Sequence, residues 1–146
     1  MERDTAALLW FGARLCIVRT DGLPRKSAVN PPSLFNAPAA GFSQAIRAGD
    51  TIYCSGQVSF AEGLEAQARE AFTNVRSLLA YAGARMVDIV KVTIYSTDEQ
   101  CWTKTGAIRN EFLTPPFPAV TMVVVKALAD PRILVEIDVT AVIGAG

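Results

Sequence analysis

The sequence has 146 residues, of which 51% are hydrophobic and 19% are charged, a balance that is typical of one folded domain and excludes a disordered chain. Lysine and arginine together number 14, as do aspartate and glutamate, so the net charge is zero and the basic excess of nucleic-acid-binding proteins is missing. Histidine is absent, which excludes Ser-His-Asp and Cys-His catalytic arrangements and a histidine-ligated metal site.

The first thirty residues follow a different pattern from the rest of the chain. Apolar and basic residues occur there without a sustained period, so we interpret residues 1–30 as an N-terminal extension of uncertain structure and residues 31–146 as the folded domain. Glu2 and Asp4 precede the apolar run 6–13, and no cleavage site follows it, which disfavours a secretory signal. One hypothesis is that an upstream start codon adds the extension, with the natural start near Leu23.

From residue 31 onward, the pattern predicts elements in the order ββαβαββ. Strands at 43–48 and 51–57, joined by the turn Gly49-Asp50, predict a hairpin. Apolar residues at helical spacing predict a helix over 64–82, which Gly83 ends. The remaining predicted elements are a strand at 88–96, a weaker helix at 101–112, and two final strands at 119–126 and 132–142.

The alternation of side chains within the strands predicts which residues share a face. Val90, Val92 and Ile94 are expected on one face of their strand. Strand 119–126 is apolar on both faces, whereas two helices can cover only one face of a sheet. We therefore expect an α+β fold whose uncovered, apolar sheet face is buried between identical subunits.

The last predicted strand carries a carboxylate among apolar residues. Glu136 shares a face with Leu134, Asp138 and Thr140. Carboxylates are rarely buried without a partner or a function, and burial would raise the pKa of Glu136 toward the range useful for acid–base catalysis. The alternative is a salt bridge from Glu136 to a lysine or arginine of a neighbouring subunit, which is the commoner reason for such a carboxylate.

Near the predicted hairpin, two residues have both a functional and a structural interpretation, and a third has only a structural one. Ser55 ends a strand in the run YCSGQ, where it could bind a ligand or water, or could cap its own strand end. Cys54 alternates to the opposite face and is interpreted as core. Phe42 lies in the turn that enters the first strand, as core or as a platform for a ligand.

The three cysteines lie at Cys16, Cys54 and Cys101, a spacing that matches no zinc or redox motif. This pattern is typical of reduced thiols in a cytoplasmic protein. No apolar run approaches the length needed to span a membrane, so we expect no membrane partner.

Between about residues 32 and 142, the sequence resembles the RidA/YjgF family of imine and enamine deaminases. The matching stretches are NAPAA at 36–40, FSQAIRAGDTIYCSGQ at 42–57, QAREAFTNV at 67–75, DIVKVTI at 88–94, PFPA at 116–119 and LVEID at 134–138. The resemblance implies a chorismate-mutase-like fold and a homotrimer with a pocket at each subunit interface. It also implies hydrolysis of reactive 2-imino or 2-enamino acids to 2-keto acids and ammonia, with no cofactor and no metal.

The resemblance also assigns roles to positions of this chain. Glu136 stands at the position of the family's glutamate, which positions the attacking water or handles its proton, and Ser55 stands at the family's serine position. Phe42 occurs where many members have a tyrosine. The implied catalytic residues are Glu136 and Ser55, and the implied substrate-binding residues are Phe42, Gly56, Ala119, Val120 and Thr121.

Position 120 departs from the family pattern, because archetypal members carry there an arginine that grips the substrate carboxylate. Loss of that guanidinium would cost about 2–5 kcal/mol of carboxylate binding, which indicates a substrate other than a simple 2-imino acid. Arg132 lies about 13 Å along the strand from Glu136, too far for an easy replacement. The other basic residues that could reach in from a neighbouring subunit are Arg47, Lys91 and Lys126.

The sequence thus favours a cytoplasmic, cofactor-independent deaminase or related hydrolase that releases ammonia from a reactive imine or enamine. A trimer of the same kind that binds a small metabolite without turnover is the alternative. Some relatives have been described as ribonucleases or translation inhibitors, but zero net charge and the absence of histidine disfavour a nucleic-acid partner.

Overall fold

A computed structural model describes residues 6–11, 14–19 and 26–146 of the chain. Strands β1 (Ala6–Phe11) and β2 (Arg14–Arg19) pair antiparallel in a small sheet of their own. Leu23, the residue near which a natural start is hypothesised, and the side chain of Cys16 lie outside what the structure describes.

The remaining strands of the described chain form one six-stranded sheet. They are β3 (Lys26–Val29), β4 (Ala45–Ala48), β5 (Thr51–Cys54), β6 (Ile89–Ser96), β7 (Ala119–Val124) and β8 (Val135–Val142). Their order across the sheet is β3-β4-β5-β8-β6-β7. Strands β6 and β7 are parallel, and the other neighbouring pairs are antiparallel. Three helices accompany the sheet: α1 (Leu64–Tyr81), α2 (Cys101–Lys104) and α3 (Gly106–Phe112).

The predicted order ββαβαββ is confirmed from β4 to β8, with two local differences. The second predicted helix is divided at Thr105 into α2 and α3. The last strand begins at Val135, later than predicted, because the N–H of Ile133 closes a turn onto the carbonyl of Asp130 at 3.0 Å. Strand β3 also joins the main sheet, although it lies within the segment interpreted as an extension.

The core lies between α1 and the inward face of the sheet. Helix α1 buries an apolar stripe at the spacing predicted from sequence, and Gly83 follows it with φ +85°, as the predicted stop requires. The buried side chains of β8 alternate strictly with half-buried ones, which confirms that Glu136 and Asp138 share a face. The structure adds that this face points away from the helices. The largest fully buried apolar side chains include Phe72, Leu78, Ile52, Ile94 and Ile137.

The other face of the sheet is covered by no helix of the described chain. Tyr53 and Val123, on this face, are 55% and 40% exposed. Lys91 and Thr121, on the same face, are hydrogen-bonded to each other. The uncovered face, which was expected to be apolar, is mixed, because the more apolar side of β7 turns toward the helices.

Val90 departs from the predicted alternation on β6. The pairing of β6 with β8 shifts register between Ile89 and Lys91, which is the signature of a β-bulge. Ile89 takes the buried position and Val90 is left 38% exposed. The prediction that Val90 shares the core face of Val92 was wrong, because one extra residue at the bulge inverts the alternation.

Candidate functional site

The side chain of Glu136 lies directly against the backbone of Gly56. A Cβ atom added at Gly56 would lie 1.8 Å from Oε1, 2.5 Å from Cδ and 2.7 Å from Cγ of Glu136. The φ of Gly56 is not positive, so its backbone conformation would accept any L residue. Glycine is needed at position 56 because the carboxylate occupies the space that a side chain would fill.

A bulge between β5 and β8 presents Gly56 to this carboxylate. Tyr53 pairs with Thr140, and the next bridge joins Gln57 to Ile137, so the first strand holds one residue more than the second over this span. Gln57 and Ile137 exchange two backbone hydrogen bonds, of 2.8 and 3.0 Å. The extra residue therefore lies between two well-paired positions and is held in place from both sides.

Two buried glutamines stabilise the segment around Gly56 through hydrogen bonds. The amide nitrogen of Gln57 donates to Gln44 Oε1 at 2.9 Å and to the carbonyl of Ser55 at 3.0 Å. The amide of Gln44 donates in turn to the carbonyl of Phe35 at 2.8 Å. Both side chains are 4% exposed, so these bonds are sheltered from water and stabilise the loop strongly. The glutamines were not predicted as site residues, although a glutamine within an apolar strand is a usable signal.

The electrostatic surroundings of Glu136 favour its protonated form. Glu136 is partly buried, and no lysine or arginine of the described chain forms a salt bridge with it. Burial, and then the negative charge of Asp138 on the same face, raise the pKa of Glu136 above its ordinary value. The charge of Asp138 and burial also raise the pKa of Tyr95, which lies opposite Glu136 on β6. A salt bridge from Glu136 to a neighbouring subunit stays a prediction.

An Asp138→Asn substitution should lower the pKa of Glu136, because it removes the nearby negative charge. Burial is the larger cause, so the midpoint should fall only part of the way toward the ordinary glutamate value. The measurement is a pH titration of the Glu136 side-chain carboxyl carbon by NMR. Asp130→Asn, which alters a carboxylate already paired with Arg132, serves as the control. An unchanged or raised midpoint in Asp138→Asn would contradict this view of the site.

A cavity of about 250 Å³ borders Gly56. Phe42 and Phe60 line it and are 45% and 60% exposed. The ring of Phe42 stacks on Phe35 with 6.1 Å between centroids. Phe42 is therefore an exposed wall of the cavity and not part of the core, and its role as a platform for a ligand stays a prediction.

Neither Ser55 nor Cys54 is an activated nucleophile. The hydroxyl of Ser55 donates to the carbonyl of Ser43 at 2.7 Å, which fastens the strand end, and only its lone pairs remain available. Cys54 packs against the core from the face opposite Glu136. Burial and the charge of Asp138 raise the pKa of Cys54 to about 12, so its thiol stays protonated near neutral pH.

Val120 and Glu136 of one chain lie on opposite faces of the sheet. Val120 pairs with the buried Val92 and faces the helices, whereas Glu136 pairs with Tyr95 on the uncovered face. Val120 lines a second cavity, of about 220 Å³, with residues of α2 and α3. A small ligand cannot reach both residues of one chain through the sheet, so a site that contains both needs two chains.

The other two predicted residues of β7 are separated from Glu136 by strand β6, although Thr121 lies on the same face of the sheet. Thr121 accepts its hydrogen bond from Lys91 on the uncovered face. Ala119 is exposed and lines a third, shallow depression beside Phe117. The predicted substrate-binding set therefore divides into one group at Gly56 and one group on β7.

Most of the basic residues proposed as replacements at position 120 are engaged elsewhere. The guanidinium of Arg132 makes a bidentate pair with the carboxylate of Asp130, with hydrogen bonds of 3.0 and 2.8 Å. Arg47 donates to the carbonyl of Gly49 at 2.9 Å, and Lys91 is bonded to β7. Only Lys126 of that group is exposed with no hydrogen bond to the described chain.

Two further features, a membrane span and a metal site, are absent from the parts of the chain that the structure describes. No helix there is both long enough and apolar enough to cross a membrane. No group of three or more cysteine, aspartate or glutamate side chains is placed there to hold a metal ion.

The fold and the site together define a class of protein: a six-stranded α+β sheet with its helices on one face and a half-buried glutamate over a glycine beside a cavity. The family model described as Endoribonuclease L-PSP matches residues 34–143. The crystal structure of a member of the YjgF/YER057c/UK114 family from Mycobacterium tuberculosis is 32% identical, with a TM-score of 0.74, and the match covers 82% of this chain and 100% of that one. The chain belongs to this family, the RidA/YjgF family, and the predicted fold is confirmed.

Curated relatives agree with this assignment. Protein mmf1, mitochondrial, of Schizosaccharomyces pombe is 33% identical over 124 residues, which are 80% of this chain and 75% of that protein. The 2-iminobutanoate/2-iminopropanoate deaminase of Salmonella typhimurium is 33% identical over 119 residues, which are 73% of this chain and 92% of that enzyme. Because one of these relatives is described as mitochondrial, the cytoplasmic location of this chain stays a prediction.

Proposed function

We propose that this protein is a cofactor-independent deaminase that hydrolyses a reactive imine or enamine and releases ammonia. The observation that carries the proposal is the carboxylate of Glu136, which lies against Gly56 with a raised pKa and no cation of the described chain beside it. The relative from Salmonella typhimurium, described as an imine deaminase, supports the same chemistry.

The reaction needs one water and one proton acceptor. Water held by Glu136 adds to the carbon of the C=N bond and transfers a proton to the carboxylate, which returns it to nitrogen. In the resulting carbinolamine the hydroxyl proton passes through the same carboxylate to the amine nitrogen, the C–N bond breaks, and ammonia leaves as the carbonyl forms. A raised pKa suits Glu136 to accept and return this proton near neutral pH. Ser55, whose own proton is engaged, acts as an acceptor that orients the water or the amine.

We infer a homotrimer with a site at each subunit boundary. Glu136 and Val120 lie on opposite faces of one chain, so both belong to one site only when two chains meet. The exposed Tyr53 and Val123 on the uncovered sheet face support its burial by another subunit. Light scattering should give a mass three times that of the chain.

The walls of the cavity at Gly56 indicate the side chain of the substrate. Phe35, Phe42 and Phe60 give the cavity an aromatic lining. Such a surface favours an imine with an apolar side chain over the smallest 2-imino acids.

The test generates imino acids in place with an amino-acid oxidase and follows the release of keto acid and ammonia. We expect acceleration over the blank, with a larger kcat/KM for imines derived from leucine or phenylalanine than for that derived from alanine. No acceleration with any imine, together with a ligand bound in the cavity, would favour the metabolite-binding trimer. Cleavage of RNA would favour the ribonuclease function.

A further inference from the structure

Arg109 on α3 is a partly buried arginine whose charge no carboxylate of the described chain neutralises. Four other arginines form salt bridges with carboxylates: Arg47, Arg69, Arg85 and Arg132. Arg76 has no such partner either, but it is exposed over the ring of Phe112. Burial lowers the pKa of Arg109, because the charged guanidinium is partly desolvated. An anion that bound this guanidinium would therefore interact with a poorly hydrated cation.

The guanidinium of Arg109 is held in one orientation. Its Nη1 donates to the carbonyl of Trp102 at 2.7 Å and to Thr105 Oγ1 at 3.0 Å. Its central carbon lies 3.7 Å from the centroid of the Trp102 ring, in a cation–π contact. Nε and Nη2 donate to no residue of the described chain. The Nε–Nη2 edge of the guanidinium is therefore fixed in orientation and available to donate to a ligand.

Arg109 lines the 220 Å³ cavity that also contains Val120. Its other walls are apolar, apart from Asn110; they are formed by Trp102, Leu113, Phe117, Pro118 and Val120. One free guanidinium edge beside apolar walls matches a ligand with one carboxylate and an apolar body.

We propose that this cavity binds the carboxylate of a small apolar monocarboxylate through a bidentate pair with Arg109. The inference rests on the proposed function, in which substrate lies between two chains, and it names the group that holds the substrate carboxylate there. A helix, and not β7, supplies that group. A 2-imino acid with an apolar side chain then remains within the substrate class despite the valine at position 120.

The experiment measures binding of benzoate and of benzamide, its neutral isostere, by titration calorimetry. Arg109→Gln should weaken benzoate binding by about 10- to 100-fold and leave benzamide binding unchanged, because only the anion uses the charge. Arg76→Gln is the matched control, since it removes an unpaired arginine that stacks on a ring outside this cavity, and it should change neither affinity.

Three results of the binding experiment would overturn the inference. They are no benzoate binding to the wild type at millimolar concentration, unchanged benzoate binding in Arg109→Gln, and an equal loss of benzoate and benzamide, which would indicate a purely structural residue. Should Arg109→Gln fail to fold, Arg109→Lys takes its place, and its ammonium should bind benzoate more weakly than the bidentate fork does.

The deaminase proposal and the Arg109 proposal are contradicted by different results. A wild type without deaminase activity leaves the benzoate result standing. A normal KM for an imino acid in Arg109→Gln would overturn the carboxylate site alone.

Discussion

A Glu136→Gln variant is expected to hydrolyse imines about 10²- to 10⁴-fold more slowly than the wild type, as measured by kcat/KM. Glutamine keeps the size of the side chain over Gly56 but cannot accept a proton from water. Asp130→Asn, which alters a carboxylate paired with Arg132, is the control and should retain most of the activity. Equal activity of Glu136→Gln and the wild type would remove Glu136 from the mechanism.

The stability of the same variant distinguishes the two interpretations of Glu136. Its pKa is raised in the folded protein, so folding favours the protonated form, and stability is lost as pH rises through the folded-state value. Glu136→Gln should therefore unfold at a higher temperature than the wild type at neutral pH. This difference should vanish below about pH 4, where both forms are neutral. A salt-bridged carboxylate would show the opposite, a loss of stability at neutral pH.

A Gly56→Ala variant is expected to lose about 10²-fold in kcat/KM, because the new methyl group occupies the place of the Glu136 carboxylate. The clashing atoms Oε1, Cδ and Cγ all belong to the flexible side chain of Glu136, and the backbone at Gly56 accepts alanine. Stability should therefore fall much less than activity does. The measurement compares imine hydrolysis with the midpoint of thermal unfolding at a fixed protein concentration.

A double-mutant cycle separates this displacement of Glu136 from a general disturbance of the bulge. In a Glu136→Ala background the space beside Gly56 is empty, so Gly56→Ala should cost almost no further activity or stability. Additive losses of activity would mean that Gly56 acts independently of the carboxylate.

The elements and faces near Glu136 could be predicted because they depend on local periodicity. Helix α1 and its stop at Gly83 were predicted from a 3.6-residue pattern, and the face that Glu136 shares with Asp138 was predicted from strict alternation on β8. The same reasoning failed at Val90, where a bulge adds a residue to one strand. A bulge is a property of two paired strands, so it cannot be predicted from the sequence of either strand alone.

The parts of the site that bring distant segments together could not be predicted in this way. Gly56 meets Glu136 only because β5 and β8 are neighbours in the sheet. Arg109 of α3 and Val120 of β7 line one cavity, and sequence spacing gives no sign that they do.

The sequence by itself determined the family, the order of elements and the single carboxylate on which the proposed chemistry depends. Only the tertiary structure decided that Gly56 holds that carboxylate, that Phe42 is a wall and not core, and that Val120 faces away from Glu136. The physical reason is that periodicity sets the direction of each side chain relative to its own strand or helix. Which side chains then meet depends on strand order, bulges and packing, all of which are interactions between segments far apart in the chain.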